Sequence, residues 1–186
     1  MTSLDQTIRT ALHAIDDPEM PISIVDLGLI TDIRLSATAG EPAAVEIDLT
    51  PTFIGCPALD MIRDQVARRV AALPGVGAVR VNWVNAPRWS VDRISDAGRE
   101  RLRSHGVTTP DRRSGGCCGG GGSEAAATKL VPLTVSLPRA QDVETPQCPY
   151  CRSTETTMES PFGPTRCRSI FYCPACRNSF EHLRPI

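Results

Sequence analysis

The 186-residue chain has few aromatic side chains, few histidines and little net charge. Aromatic residues make up 4% of the chain, and the formal charge is −1 at pH 7. A chain this close to neutral has no general electrostatic attraction for nucleic acid or an anionic membrane. It lacks a run of about 20 apolar residues for a membrane-spanning helix, and its N-terminus lacks the pattern of a signal peptide. We therefore expect a cytoplasmic protein that binds neither nucleic acid nor a membrane.

Two catalytic signatures are also missing from the sequence. No Glu-x-x-His pair occurs, although carboxylate-bridged di-iron sites use such pairs on two helices. No Gly-x-Gly-x-x-Gly turn of a dinucleotide-binding fold appears either. The three histidines, His13, His105 and His182, are scattered, and we expect them to be surface or capping residues. These absences argue against direct monooxygenation by this chain, and we expect that it is not itself an enzyme.

Cysteine, in contrast, is abundant, with eight residues. Thiols stay reduced in the cytoplasm, so this number indicates metal or redox chemistry before structural disulfides. Cys148 with Cys151, and Cys173 with Cys176, form two C-x-x-C pairs. Two such turns can present four thiolates to a tetrahedral Zn²⁺, and a module of about 40 residues needs a metal to fold. Iron or an iron–sulfur cluster at the same sulfurs is the alternative.

Three other cysteines are open to two interpretations each. Cys117 and Cys118 lie in a glycine-rich stretch. They are either an incidental part of a variable linker, which we favour, or exposed thiols that deliver a metal or cluster. Cys167 lies shortly before the second pair. We favour a packed core thiol there over an additional metal ligand.

The remaining cysteine, Cys56, follows a strand-like alternation at residues 45–49 and a glycine-containing turn. Apolar residues recur at helical spacing after it, and Pro57 suits the first turn of a helix. The sequence thus places Cys56 at a helix N-cap, where free N–H groups and the helix dipole favour the thiolate. This predicts a nucleophile or metal ligand. A small buried side chain that fills the turn is the alternative.

The chain divides into three parts by composition. Residues 1–106 show the order α-β-β-α-β-β, with the last strand at residues 89–93 and a short helix after it. Residues 107–128 are glycine-rich and predict a flexible linker. Residues 129–186 form a small four-cysteine, zinc-ribbon-like β module that begins with an edge strand at residues 129–137. The predicted fold class is α+β.

Three motifs resemble the hallmarks of the metal-sulfur cluster biosynthesis (MIP18-like) domain family. They are Asp17-Pro18-Glu19, Asp26-Leu27-Gly28-Leu29-Ile30 and Thr50-Pro51-Thr52-Phe53-Ile54-Gly55-Cys56-Pro57. The resemblance implies an iron–sulfur-assembly-like fold for residues 1–106. It implies that Cys56 is a functional thiol for metal or cluster transfer, which binds iron or an iron–sulfur cluster transiently. It also implies supporting roles for Asp17, Glu19, Asp26, Thr50 and Thr52.

Together with the C-terminal cysteine pairs, these motifs resemble accessory proteins of phenylacetyl-CoA epoxidase systems. The resemblance implies a maturation role in aerobic phenylacetate catabolism, with the reductase and the di-iron oxygenase components as partners. It identifies Cys148, Cys151, Cys173 and Cys176 with the ligands of a zinc ribbon. A non-catalytic structural adaptor is the alternative function, and a homodimer is a further expectation. A nucleic-acid-binding ribbon is disfavoured because glutamates offset its arginines.

Overall fold

Residues 3–36, 41–111 and 145–184 are described by the structure, a computed structural model. The helices within these ranges are α1 (Ser3–His13), α2 (Leu59–Ala71) and α3 (Asp96–Ser104). The strands are β1 (Ile30–Ser36), β2 (Ala43–Leu49), β3 (Val76–Trp83), β4 (Val107–Thr108), β5 (Thr157–Ser160), β6 (Arg168–Cys173) and β7 (Asn178–Leu183). This confirms the predicted mixture of helices and strands. None of the described helices has the length and apolar character needed to cross a membrane.

The first sheet has the order β1-β2-β3. Strands β1 and β2 are an antiparallel pair, whereas β2 and β3 are parallel and are connected through α2. The alternation predicted in β2 is confirmed, since Val45, Ile47 and Leu49 are buried. The apolar stripes of α1 and α2 share the same core, in which five side chains from the two helices are buried: Ile8, Leu12, Ile62, Val66 and Val70. This packing places the loop that carries Cys56 at the carboxyl end of β2.

The predicted fourth strand at residues 89–93 is wrong, because this segment contains a short 3₁₀ helix. Its side chains bond to the loop that precedes β1. The indole Nε1 of Trp89 donates to the carbonyl oxygen of Leu27 at 2.8 Å, and Nε of Arg93 donates to that of Gly28 at 2.8 Å. The segment therefore covers a loop of the first module, the part of the chain before the predicted linker, and does not extend the sheet.

The second sheet has the order β4-β7-β6-β5 and joins the two modules. Strand β4 comes from the first part of the chain and pairs in parallel with β7, with Val107 opposite Glu181. The two residues of β4 were predicted to begin the flexible linker, but they lie in a sheet. Leu183 at the end of β7 is fully buried in the core of the first module. The cysteine-rich module thus packs directly on the first one.

Two predictions fall outside the described residues. Cys117 and Cys118 lie there, as does the edge strand expected at residues 129–137.

Candidate metal and thiol sites

Four cysteine sulfurs converge between the two C-x-x-C turns. The Sγ atoms of Cys148, Cys151, Cys173 and Cys176 all lie within 4.8 Å of one another. Across the turns, Cys148 and Cys176 are 3.6 Å apart and Cys151 and Cys173 are 3.5 Å apart. A tetrahedral Zn²⁺ with Zn–S bonds of about 2.3 Å separates its sulfurs by roughly 3.8 Å. The described distances therefore fit a metal site of four thiolates, and this ligand set accepts zinc or iron.

The two turns have the same backbone conformation. Arg152 and Arg177 each follow the second cysteine of a pair, and both have a left-handed backbone, with φ of 63° and 59°. Their N–H groups donate to the carbonyl oxygens of Cys148 at 2.9 Å and Cys173 at 2.8 Å. These bonds close the turns and point both thiols of each pair to one side. The positions of the two sulfurs of each pair are thus fixed by residues that are neighbours in sequence.

The core around these sulfurs is small. Phe171 and Phe180 stack with ring centroids 5.9 Å apart and pack with Cys148 and Cys173. Cys151, in contrast, is exposed. A cluster this small cannot offset the conformational entropy of the module alone, and a metal bound by the four thiols would supply the missing folding free energy.

The position of Cys56 differs from the prediction. Helix α2 begins at Leu59 with Ala58 as its N-cap, so the predicted N-cap at Cys56 is wrong by two residues. The N–H of Cys56 donates to the carbonyl oxygen of Phe53 at 3.1 Å. Pro57 lies in a turn that leads directly into α2 and is closed by a hydrogen bond from the N–H of Leu59 to the carbonyl oxygen of Cys56 at 3.4 Å.

The protonation state of Cys56 also differs from the prediction. Partial burial raises the pKa of the Cys56 thiol, and the carboxylates of Glu19 and Asp17 and the thiol of Cys167 raise it further. A hydrogen bond from the backbone of Ala58 opposes these effects without overcoming them. The thiol, not the thiolate, is therefore the resting form at neutral pH, and the expected activation by the helix terminus is wrong.

The acidic motif beside Cys56 is built around a buried carboxylate. Asp17 is 8% exposed and accepts hydrogen bonds from the N–H groups of Glu19 at 2.8 Å and Met20 at 3.0 Å. Burial raises the pKa of Asp17, while the two N–H donors and the charge of Arg168 oppose the increase. Asp17 thus shapes the loop that brings Glu19 to the thiol.

The other motif residues do not join this group. Asp26 accepts a hydrogen bond from the Ser95 hydroxyl at 2.6 Å and lies 3.0 Å from Nε2 of His13, so it holds the start of α3. The Thr50 hydroxyl donates to the carbonyl oxygen of Pro87 at 3.1 Å. Thr52 is half-buried in the loop before Cys56. Functional roles for these residues stay predictions.

Cys167 is a buried thiol, as we favoured, and it is not one of the four clustered cysteines. Its Sγ lies 3.0 Å from the hydroxyl oxygen of Thr165. Sequence spacing gave no sign of its interaction with Cys56, because that interaction depends on how the two modules pack.

His182 is not the surface residue that we expected, whereas His13 and His105 are exposed. Burial lowers the pKa of His182 to about 4. Its Nδ1 lies 2.8 Å from the Thr108 hydroxyl, and its ring packs edge-on against Phe171 at 5.6 Å. The neutral His182 ring therefore helps to hold β4 against the cysteine-rich module.

Exposed apolar side chains flank Cys56 in sequence. Ile54 is 78% exposed, and Met61 in the first turn of α2 is 53% exposed. Single exposed apolar side chains are normal on protein surfaces, so these two do not by themselves define a binding surface.

Comparison with known proteins finds two separate matches along the chain. Residues 5–83 match the family described as iron–sulfur cluster assembly protein, and residues 134–184 match the PaaD zinc β-ribbon domain. An Escherichia coli protein, provisionally named as one of the subunits of 1,2-phenylacetyl-CoA epoxidase, is 30% identical over 180 residues, which cover 96% of this chain and 92% of that protein.

Two further similarities cover the first module. The Fe-S protein maturation auxiliary factor YitW of Bacillus subtilis is 36% identical over 93 residues, which cover 50% of this chain and 87% of that protein. A solved structure of a DUF59 domain of unknown function from Bacillus anthracis is 33% identical. It covers 52% of this chain and 88% of that chain, with a TM-score of 0.45.

Proposed function

The chain belongs to the PaaD family, and we propose that it assists the assembly of iron or an iron–sulfur cluster in a component of a phenylacetyl-CoA epoxidase system. Its relatives with the same first module are named as auxiliary factors, not as catalysts, which agrees with the prediction that this chain is not an enzyme. The single observation that carries the proposal is the placement of Cys56 beside Asp17 and Glu19.

The charges around Cys56 suit a cation that binds transiently. Carboxylates near a thiol repel a lone thiolate, so they keep the empty site protonated. A divalent cation reverses this effect, because it attracts the same carboxylates and displaces the thiol proton. Iron bound at Cys56 would thus be stabilised by Asp17 and Glu19, and its loss would be coupled to reprotonation of the sulfur. Reversible binding of this kind is what transfer to a client requires.

The cysteine-rich module has a different role in this proposal. Zinc at Cys148, Cys151, Cys173 and Cys176 would hold the module folded against the first one, and the four-sulfur geometry supports that assignment. The clients would be the reductase with its iron–sulfur cluster or the di-iron oxygenase component. Reduced thiols at both sites require a reducing compartment, so the proposal places the protein in the cytoplasm.

The test is activation of apo client by this protein and by the Cys56→Ala variant. We expect the variant to lose activation while it keeps its zinc and its circular dichroism spectrum. The double variant Cys117→Ala, Cys118→Ala is the matched control, because it removes two thiols outside the proposed site. Equal activation by the wild type and Cys56→Ala would rule out the transfer mechanism. Loss of activation in the double variant would instead assign delivery to Cys117 and Cys118.

A structural adaptor is the second candidate, because a partly buried, protonated thiol is also what a cysteine without a transfer role would show. An adaptor would co-purify with the oxygenase components at fixed stoichiometry. Its effect on activity would survive Cys56→Ala but not removal of zinc. The same purification, followed by sedimentation analysis, would test the expected homodimer.

A further inference from the structure

The first sheet has two edges, which are formed by β1 and β3. At the β3 edge, one hydrogen bond shows which backbone groups point outward. Leu49 lies opposite Trp83, and its carbonyl oxygen accepts from the N–H of Val84 at 2.7 Å. In a parallel pair such a residue bonds to the two neighbours of its partner, so the N–H and C=O groups of Trp83 point away from β2. The same alternation turns the backbone groups of Val79 and Val81 outward.

The β3 edge is open in the part of the chain that the structure describes. Strand β3 pairs there only with β2, and no hydrogen bond from another described segment reaches the outward backbone groups of Val79, Val81 or Trp83. The side chains of these three residues are only half-buried, whereas their partners in β2 are buried. An open row of N–H and C=O groups beside apolar side chains is a template for the addition of another strand.

The β1 edge, in contrast, is protected in three ways. The register of β1 against β2 shifts between Ile30 and Asp32, as in a β-bulge. Nη2 of Arg93 donates to the carbonyl oxygen of Ile30 at 3.0 Å. The Asp32 carboxylate accepts from the N–H of Ile33 at 2.9 Å. Bulges and charged side chains at an edge prevent further pairing, so the sheet can grow at β3 and not at β1.

One open edge and one protected edge favour a second copy of this chain as the source of the added strand. Two identical open edges can pair around a two-fold axis and close, whereas a sheet with two open edges would continue to grow. We propose that β3 pairs in antiparallel orientation with β3 of a second copy, so that two three-stranded sheets form one six-stranded sheet. This inference goes beyond the proposed function and holds whatever Cys56 binds.

The residues of β3 select the register of this pairing. A two-fold axis at Arg80 would place two guanidinium groups directly opposite each other, which is unfavourable. An axis at Val79 would use the irregular start of β3, where the register against β2 shifts. With the axis at Val81, Arg80 lies opposite Asn82 of the second copy, and Val79 lies opposite Trp83 of the second copy. Residues 79–83 of the two copies then form a seam with apolar contacts and about six backbone hydrogen bonds.

Asn82 connects this seam to acidic side chains. Its amide donates to Oε1 of Glu46 at 2.8 Å and to Oδ1 of Asp48 at 2.9 Å. These two carboxylates and a third one surround the guanidinium of Arg34, so this part of the sheet surface carries net negative charge. Arg80 is exposed. Across the seam, Arg80 of each copy would approach the acidic side chains of the other, so the two surfaces are complementary in charge.

The dimer places the two Cys56 loops at opposite ends of the joined sheet. Each loop follows the carboxyl end of β2, and the β2 strands of the two copies run in opposite directions. With about 3.3 Å per residue along a strand and about 4.8 Å between strands, the two Leu49 residues would lie roughly 20 Å apart. Two sulfurs that bind one metal ion lie about 4 Å apart. Each chain would therefore carry its own cargo site, and the two thiols would not share a metal ion.

The test is self-association of the zinc-loaded full chain, measured by sedimentation velocity in a reducing buffer. We expect a monomer–dimer equilibrium that depends on concentration, because a seam this short is too small for an obligate dimer. Asn82→Arg places like charges opposite each other at two positions and should weaken association about tenfold. Addition of Arg80→Glu to this variant turns both contacts into ion pairs and should restore association at least to the wild-type level.

The matched control is Ser36→Arg, which adds the same charge to an exposed residue of the protected β1 edge and should leave association unchanged. Zinc content and circular dichroism confirm that each variant is folded. A chain that stays monomeric at millimolar concentration would overturn the proposal. Association that is unaffected by Asn82→Arg would overturn it as well, whether or not Ser36→Arg weakens it.

A second measurement uses the unmodified chain, in case the variants do not fold. Hydrogen exchange is followed by mass spectrometry at low and high protein concentration. The amides of Val79, Val81 and Trp83 point into the seam, so the peptide that contains them should exchange more slowly at high concentration, while the β1 peptide should not change. Slower exchange at β1 alone, or at neither strand, would overturn the pairing. Slower exchange at β3 caused by an epoxidase component, in a chain that stays monomeric, would assign this edge to a client instead of a second copy.

Discussion

The two thiol sites of this molecule are built in opposite ways. The ribbon cysteines are presented by two tight turns with matching backbone bonds, and their sulfurs already converge. Cys56 lies on a loop whose thiol is held protonated by burial and by carboxylates from another loop. A preformed set of four thiolates retains its metal, whereas one protonated thiol beside carboxylates favours exchange. In the proposed function, the first site stabilises the protein and the second one carries the cargo.

Removal of zinc is expected to have the largest effect of all on stability. If the ribbon module stayed folded without its metal, the contrast between the two thiol sites would fail. Structural zinc contributes on the order of 10 kcal/mol to small modules of this kind, and the ribbon cluster consists of two aromatic rings and the cysteines around them. We expect chelation, or Cys173→Ser, to unfold β5 to β7. Circular dichroism and thermal unfolding measure the loss, with Cys56→Ser as the control that retains zinc. An unchanged melting temperature after verified loss of zinc would contradict the prediction.

The ribbon site could be predicted from sequence because its ligands lie in short motifs whose turns form locally. The Cys56 region was predicted less well. Pro57 is compatible with a helix start and with a separate turn, and only tertiary packing selects between them. Trp89 and Val91 are buried as in a strand, but tertiary contacts of a loop and a short 3₁₀ helix bury them. The packing of the cysteine-rich module on the first one includes the parallel pairing of β4 with β7, which no local pattern encodes.

The junction between the modules is expected to be sensitive at Gly106. Its φ is +78°, and a Cβ at this position would lie 2.3 Å from the Tyr150 hydroxyl. Gly75 has a similar φ of +82° but no atom within 4 Å of such a Cβ. We expect Gly106→Ala to lower the free energy of unfolding by about 1–2 kcal/mol and Gly75→Ala by about 1 kcal/mol, since the exposed Tyr150 ring can move away from the new methyl group at small cost. Chemical denaturation measures both, and Tyr150→Phe should recover part of the Gly106→Ala loss. Equal losses at the two glycines would mean that the junction is not tightly packed.

Acid should weaken the same junction through His182. Its pKa is lowered from 6.5 to about 4 in the folded protein. As the pH falls below 6.5, His182 becomes protonated in the unfolded chain but stays neutral in the folded protein until about pH 4. The free energy of unfolding therefore decreases by up to about 1.4 kcal/mol per pH unit over this range. His182→Gln should remove this part of the pH dependence, whereas His105→Gln, at an exposed site, should keep it. Identical pH profiles for His182→Gln and the wild type would contradict the assignment.

The negative charge of Glu19 should lower the reactivity of the Cys56 thiol and raise the affinity of the site for a metal cation. Glu19 raises the pKa of Cys56, so Glu19→Gln should lower that pKa and speed alkylation of Cys56 by iodoacetamide at pH 8 about twofold to threefold. The same change should weaken binding of Co²⁺, a spectroscopic substitute for iron(II), because it removes a charge that stabilises the cation. Glu100→Gln, on the exposed surface of α3, is the control for both measurements. Faster alkylation together with unchanged metal affinity would show that the Glu19 carboxylate does not stabilise the bound cation.

The smallest expected effect concerns the backbone of the ribbon turns. Arg177 has a φ of 59°, a conformation that costs a non-glycine residue about 1 kcal/mol and a glycine almost nothing. Glycine also loses more entropy on folding, which offsets part of the gain. We therefore expect Arg177→Gly to raise the thermal stability of the zinc-loaded protein slightly, by less than about 1 kcal/mol. Arg152→Gly, at the equivalent position of the other turn, should behave alike, because both turns share one backbone conformation. Arg166→Gly, at an exposed residue outside these turns, is the control and should not raise the thermal stability. A loss of zinc affinity in Arg177→Gly would show that the arginine side chain, not the backbone, supports the metal.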